Sequence, residues 1–430
     1  MKKDHFKLSF INLIFFALVF ALPFYKTTII NIFNIGVGLP YIIFAVLLLF
    51  CCLRLVYLGK FRTFSSIKFL LVLWLIFLIY LFISVWWTPL KTFWAYQFTR
   101  IAASLFFFIF PIVIIQKKKP LLDKTINVFI ATSAIFIVDT IIRVHGTLTL
   151  SSSNVWDFYA ALKKSYLVCD TNTVGIYIGL ILTLILYRLL KNNKKKTGYL
   201  ILLFICIAVL FSTLSRGAIA AVSISWIIGF IFLLRPVLSR QNKRKVLGAT
   251  LAGIGIFAVI IIGLNSLQSE GMSFLAERYL GLASFAKEAG FVDRIRIWNI
   301  AWNMFKDSPL IGWGVGGLGA RFENYQIGVS YPYVHNLYLS ILTVGGLIGF
   351  SLFGLWMGFI LLFLLKISKK SLLARLGVIG ILIYLIQGLV MFELADAYLW
   401  LYIGIILVGA NIEAKEEFSK NKDSQDNVLQ

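Results

Sequence analysis

Residues 69–87 read FLLVLWLIFLIYLFISVWW. No charged residue, proline or glycine interrupts them. As a helix rising about 1.5 Å per residue, this run is about as long as a bilayer's hydrocarbon core is thick, roughly 30 Å. Trp86 and Trp87 close one end, where amphipathic rings favour the membrane interface, and Lys60, Arg62 and Lys68 precede the other. The segment therefore reads as a transmembrane helix.

Working outward, similar runs recur along the chain. Spans are expected at 8–25, 38–56, 69–87, 99–116, 125–144, 170–189, 198–214, 217–234, 246–264, 335–365, 372–391 and 396–412. Hydrophobic residues make up 60% of the 430 residues and charged ones only 14%, against about 25% charged in an average soluble domain. One soluble core could not bury this much apolar surface, so lipid is the expected solvent. The fold class is all-α, a polytopic transmembrane helical bundle of about twelve spans.

The net charge of +23 would suggest nucleic acid, but its placement argues otherwise. Short basic clusters lie between the runs: Lys2, Lys3 and Lys7; Arg54, Lys60, Arg62 and Lys68; Lys117, Lys118, Lys119 and Lys124; Arg188, Lys191, Lys194, Lys195 and Lys196; Arg235, Arg240, Lys243, Arg244 and Lys245; Lys366, Lys369, Lys370 and Arg375. Only Asp4 and Asp123 oppose them. With a cytoplasmic N-terminus, alternating spans put all these clusters on the cytoplasmic side. This positive-inside asymmetry implies contact with anionic lipid and no nucleic acid. The basic-then-apolar N-terminus resembles a signal peptide, but no small-residue cleavage site follows, so it reads as an uncleaved first helix. Cys51, Cys52, Cys169 and Cys206 have no metal-binding or disulfide spacing.

Four regions follow: spans one to nine over 1–264, a large outer loop over 265–334, spans ten to twelve over 335–412, and a polar tail over 413–430. Both termini are expected in the cytoplasm, with the tail from Lys415 to Gln430 disordered. A second outer segment, 145–169, is shorter. The large loop balances Arg278, Lys287, Arg294, Arg296, Lys306 and Arg321 against Glu270, Glu277, Glu288, Asp293, Asp307 and Glu323. A loop this long that is not low-complexity reads as folded and functional. Within it, DRIRIWNIAWNMFKDSP (293–309) reads as an amphipathic helix with Asp293 as N-cap and Pro309 just past its end. Trp298, Ala301, Trp302 and Phe305 are expected on one face, lying in the membrane interface, with Arg294 one turn before Trp298.

Several residues could carry chemistry. Arg216, in STLSRGAIAAV (212–222), sits where one span ends and the next begins. An ionisable group there is either functional or an interfacial arginine reaching for headgroups. Arg294 and Arg296 point about 200° apart on a helix, so they serve different purposes. Either could instead belong to a solvated face. His335 lies where the loop re-enters the membrane and is either a structural histidine or a base active near neutral pH. His5 and His145 are the only others, so no metal cluster is expected. Gly314, Gly316 and Gly319 spell G-x-G-x-x-G, but no strand precedes them, and tight turns are the better reading. Asp170 and Asn172, in DTNTVG, read as helix caps.

In order, DTNTVG, LSRGA, RIRIWNIAWNMFKDSPLIGWGVG and HNLYLSILTVGGLIG resemble the O-antigen ligase and polymerase superfamily of bacterial envelope glycosyltransferases. The familiar pattern is an arginine, three residues, a tryptophan, a P-x-x-G-x-G turn, then His-Asn before a small-residue-rich span. Here that is Arg294, Trp298, Pro309 to Gly314, then His335 and Asn336, and the likeness in motifs covers roughly 170–350.

The resemblance implies that Arg216 and Arg294 grip the diphosphate of a polyprenyl-linked glycan donor, with Arg296 as a secondary candidate. It implies that His335 serves the acceptor hydroxyl. It further implies a ligase in the bacterial inner membrane, working on the periplasmic face without cofactor or metal and moving the glycan onto lipid A–core. A polymerase extending the glycan on its carrier needs the same chemistry. A transporter of lipid-linked sugars would want ionisable residues at the membrane midplane and some twofold repetition, and neither is visible.

Overall fold

A computed structural model describes residues 2–24, 28–32, 35–58, 65–116, 118–148, 171–191, 196–234, 289–321, 334–391 and 394–426. The expected span at 246–264, most of the 145–169 segment and the first part of the large loop lie outside them. Apolar helices cover the positions of all the other expected spans. Among the described residues, seven helices are long and apolar enough to cross a membrane, and four shorter apolar helices accompany them.

The chain forms two compact units. The first comprises Met1–Lys60, Lys118–Ala283 and Leu372–Ile383. It holds α1 (Lys2–Ala21), a hairpin of β1 (Thr28–Ile32) and β2 (Ile35–Gly38), and α2 (Leu39–Leu58). After these come α6 (Lys119–Ala131), α7 (Ser133–Leu148), α8 (Thr171–Lys191), α9 (Lys196–Ser212) and α10 (Arg216–Gly229), which runs on as a π turn over Phe230–Leu234. One short antiparallel hairpin accompanies the helices, and the described elements are otherwise helical as expected. Helix α8 is central here, with 83% of its apolar window buried. Its apolar residues surround the whole helix, as a core helix requires, and it packs on α6, α7, α9 and α10.

The second unit comprises Phe61–Lys117, Ser284–Ser371 and Tyr384–Gln430. It holds α3 (Ser65–Ile83), α4 (Lys91–Phe106), α5 (Ile109–Ile115), α11 (Ala289–Asp307), α12 (Gly317–Arg321), α13 (Leu337–Ile367) and α15 (Ala397–Asp426). The intervening α14 (Leu372–Gln387) gives its first residues to one unit and its last to the other. Pro111 separates α4 from α5, because its ring clashes with the carbonyl four residues back, at Phe107. Helix α15 is the core of this unit, with 94% of its apolar window buried. Trp356 of α13 stacks on Trp400 of α15 at 5.1 Å and takes the edge of Phe108 at 5.5 Å. Offset and edge-on arrangements of this kind suit aromatic quadrupoles and bury large areas.

The tail departs from expectation. Helix α15 continues to Asp426 instead of ending at the polar residues. Ser371 donates to Glu413 at 2.8 Å, and the Lys370 ammonium sits 5.2 Å from the Phe418 ring. Ala, Glu and Lys favour helix, and Glu416 and Lys420 lie four apart, a spacing that supports one.

Candidate functional site

Helix α11 starts at Ala289, so Asp293 lies inside it and is not the N-cap. The buried stripe is Ile297, Ile300, Ala301 and Met304, which cluster with Val334. Trp298 packs against this cluster from the side, and Trp302 is 46% exposed. The stripe thus runs one position away from the expected tryptophan face. A tryptophan needs a partner for its N–H when buried, so branched aliphatics and methionine take the deepest sites. This face packs on α13, where the Thr343 hydroxyl lies 3.2 Å from the Ala301 carbonyl.

The segment after α11 is built from main-chain contacts. The Trp313 indole donates to the Met304 carbonyl at 2.7 Å, one of the carbonyls a helix end leaves without a partner. Helix α13 is broken at Gly346, whose φ of 59° and ψ of −160° are non-helical. A break inside a helix long enough to span a membrane frees carbonyls and N–H groups that lipid cannot satisfy. The loop satisfies them. Trp313 N donates to Thr343 O and Gly314 N to Val344 O, both at 2.8 Å. In return, Leu347 N donates to Pro309 O at 2.8 Å and Ile348 N to Leu310 O at 3.1 Å. Four backbone hydrogen bonds therefore splice residues 309–314 into the broken helix. The Tyr80 hydroxyl, from α3, donates to the Gly345 carbonyl at 2.6 Å.

Glycine is required where this splice is tightest. Gly314 has φ of 78°, and a Cβ there would lie 2.0 Å from the Thr88 hydroxyl oxygen. The expectation of tight turns holds for Gly314 and Gly316, whereas Gly319 lies within α12. What the sequence did not announce is that they dock into a broken span. The available signals were the Gly345–Gly346 pair and an apolar run of 31 residues, longer than a bilayer needs.

His335 stands two residues before α13, half-buried and with a left-handed φ of 50°. A residue with a Cβ rarely adopts this conformation unless its surroundings impose it, and such strain gathers at functional sites. Its surroundings are well fastened. Asn336 caps α13 by accepting from Leu339 N at 3.0 Å and donates through its amide to Leu389 O at 3.1 Å. Leu337 N donates to Gly388 O at 2.7 Å. On the other side, the Trp298 indole donates to the Val334 carbonyl at 2.9 Å.

That last bond joins the helix bearing the arginines to the residue beside His335. Arg294 is half-buried one turn from Trp298, about 6 Å along the axis. Arg296 is on the solvated side, 60% exposed and 3.9 Å from Asp293, a spacing at the limit of an ion pair. Arg216 belongs to the other unit. It is half-buried as the first residue of α10, and Ser215 caps that helix by accepting from Ala218 N. Asn172 lies in the first turn of α8 and is not its cap, and Asp170 falls outside the described residues.

With the arginines, the splice and the histidine in place, the comparison with known families can be read against them. Residues 200–354 match the family model described as O-antigen ligase. This stretch contains Arg216, Arg294, Arg296, His335 and the whole splice. The match covers about a third of the chain, and over that stretch the chain is similar to O-antigen ligases. Together with the apolar helices, it describes a multi-pass membrane protein. No curated protein matches the chain.

Proposed function

We propose that this protein is an O-antigen ligase of the bacterial inner membrane. It moves a polyprenyl-diphosphate-linked polysaccharide onto lipid A–core at the periplasmic face. The observation that carries this reading is the ligase-family match across the segment in which Trp298 ties the Arg294 helix to Val334, the neighbour of His335.

The chemistry follows from what that face offers. Nucleotide sugars stay in the cytoplasm, so the donor must arrive already activated, and a lipid diphosphate is both leaving group and anchor. The acceptor hydroxyl attacks the anomeric carbon as the bond to the diphosphate breaks, inverting the centre. Negative charge grows on the departing diphosphate. Guanidinium groups are permanently charged and bind phosphate oxygens in pairs, so Arg216 and Arg294 suit that role. His335 takes the acceptor proton, a transfer worth about 10²- to 10⁴-fold. Arg296 contributes at most to the local field. No step calls for a metal.

A polymerase would use the same groups and differ only in its acceptor. Deleting the gene in its host and comparing surface glycolipid with the carrier-linked pool separates the two. Full-length polymer accumulating on the carrier, with bare lipid A–core, is the expected result. Core bearing single repeat units would mean a polymerase. Unchanged pools would overturn both. Complementation with wild type but not with His335→Ala would place the histidine in the transfer step.

A further inference from the structure

Arg143 is fully buried, 0% exposed, and so is Asp139 at 1%. Both lie in α7, within or at the end of an apolar span running from Lys119 to Arg143. Its burial leaves no part of Arg143 open to a lipid headgroup. Buried charges are costly, and a buried ion pair is often matched or bettered in stability by apolar residues of the same volume. A pair of this kind is therefore better explained by the geometry it imposes than by the stability it adds.

The geometry is specific. Arg143 Nε donates to Asp139 Oδ2 at 3.2 Å. Nη1 donates to the Ser212 carbonyl at 3.2 Å, while Nη2 donates to the Thr140 hydroxyl at 2.9 Å and lies 3.4 Å from the Ser212 hydroxyl. Ser212 is the last residue of α9, so its carbonyl is one that the helix leaves without an internal partner. The next residues, Thr213, Leu214 and Ser215, are buried, and Leu214 is held at a left-handed φ of 52°. The residue after them is Arg216. The guanidinium thus fixes the end of α9 from which a strained three-residue turn delivers Arg216 to the start of α10.

We propose that Arg143, oriented by Asp139, is a positioning residue that sets the direction of the Arg216 guanidinium toward the donor diphosphate. The inference rests on the reading that Arg216 grips that diphosphate. A planar fork is needed because one group must reach both the carbonyl and the hydroxyl of Ser212 while facing Asp139. A lysine ammonium in its place offers a single point charge.

The test uses the full-length protein in proteoliposomes, undecaprenyl-diphosphate-linked glycan as donor and lipid A–core as acceptor. Arg143→Lys is expected to lower transfer at least tenfold through a raised donor KM, with the acceptor KM unchanged. Introduced into Arg216→Ala, the same substitution is expected to have no further effect beyond about twofold, because residues acting as a unit are non-additive. The apolar pair Asp139→Leu with Arg143→Met keeps the volume without the fork, and it is expected to leave thermal stability intact while losing transfer. The inference is overturned if Arg143→Lys transfers normally while Arg216→Ala is inactive, if the two losses multiply, or if the apolar pair stays active. Full activity in Arg216→Ala would instead overturn the reading of Arg216, and the inference with it.

Discussion

Substituting Gly346 by alanine tests whether the spliced helix is what holds the candidate site. The glycine's φ of 59° and ψ of −160° lie in a region essentially reserved for glycine, and a Cβ there would sit 2.3 Å from the Leu310 carbonyl oxygen. Holding alanine in that conformation costs about 1–3 kcal/mol. If the clash forces the loop off the helix, four backbone hydrogen bonds worth about 1 kcal/mol each are lost as well. The expected destabilisation is thus about 1–7 kcal/mol, depending on how far the splice opens. At about 1 °C per kcal/mol for a chain of 430 residues, Tm falls by roughly 1–7 °C.

The control lies in the same helix. A Cβ at Gly354 would meet nothing within 4 Å. Gly354→Ala therefore gains helix propensity worth about 0.5–1 kcal/mol, and its Tm holds or rises. Thermal unfolding of the two detergent-solubilised variants, each with a transfer assay, makes the comparison. Equal Tm and equal transfer in both would refute the claim that the loop completes the broken helix.

Other outcomes follow from the same geometry. His335→Asn keeps a side chain that tolerates left-handed backbone, so stability should hold while transfer falls about 10²- to 10⁴-fold in the proteoliposome assay. Trp298→Phe keeps the ring but removes the hydrogen bond to Val334, so transfer should fall about tenfold, as a loss of about 1–1.5 kcal/mol predicts. Arg296→Ala should leave transfer within about twofold, since an exposed pair at 3.9 Å is worth under about 1 kcal/mol. Arg294→Lys should lose at least about tenfold by giving up paired contacts with phosphate. A chelator should leave turnover unchanged, and restoration by magnesium after its addition would show that a metal takes part.

Much of the architecture was legible because lipid imposes a simple rule on composition. A run such as 69–87 has no soluble alternative, and it forms the greater part of α3. The hairpin at 28–38 was not legible, because two short strands leave a far weaker signal than the apolar runs on either side. Asp293 looked like a cap, yet α11 begins four residues earlier because nothing in Ala289 to Val292 prevents a helix. Periodicity identified α11 and put its tryptophans together on one face in the membrane interface, whereas the face packed on α13 is built from Ile297, Ile300, Ala301 and Met304. It could not weigh the indole N–H of Trp298, which reaches out to Val334. The residues of the candidate site were visible as isolated charges. What holds each in place was not, since the bonds from the Arg143 guanidinium to the Ser212 carbonyl and from Leu347 N to the Pro309 carbonyl join groups distant in sequence.

The splice also bears on how the protein is made. Residues 309–314 leave the ribosome before the helix they complete, and α13 on its own carries exposed peptide groups midway along an apolar run. An insertion machine that reads only hydropathy would accept the segment, but the bilayer would tolerate it poorly until residues 309–314 had docked. Docking of the loop therefore precedes burial of this region in lipid. Substitutions in the loop should then reveal themselves to membrane proteases during synthesis, before any assay of glycan transfer is reached.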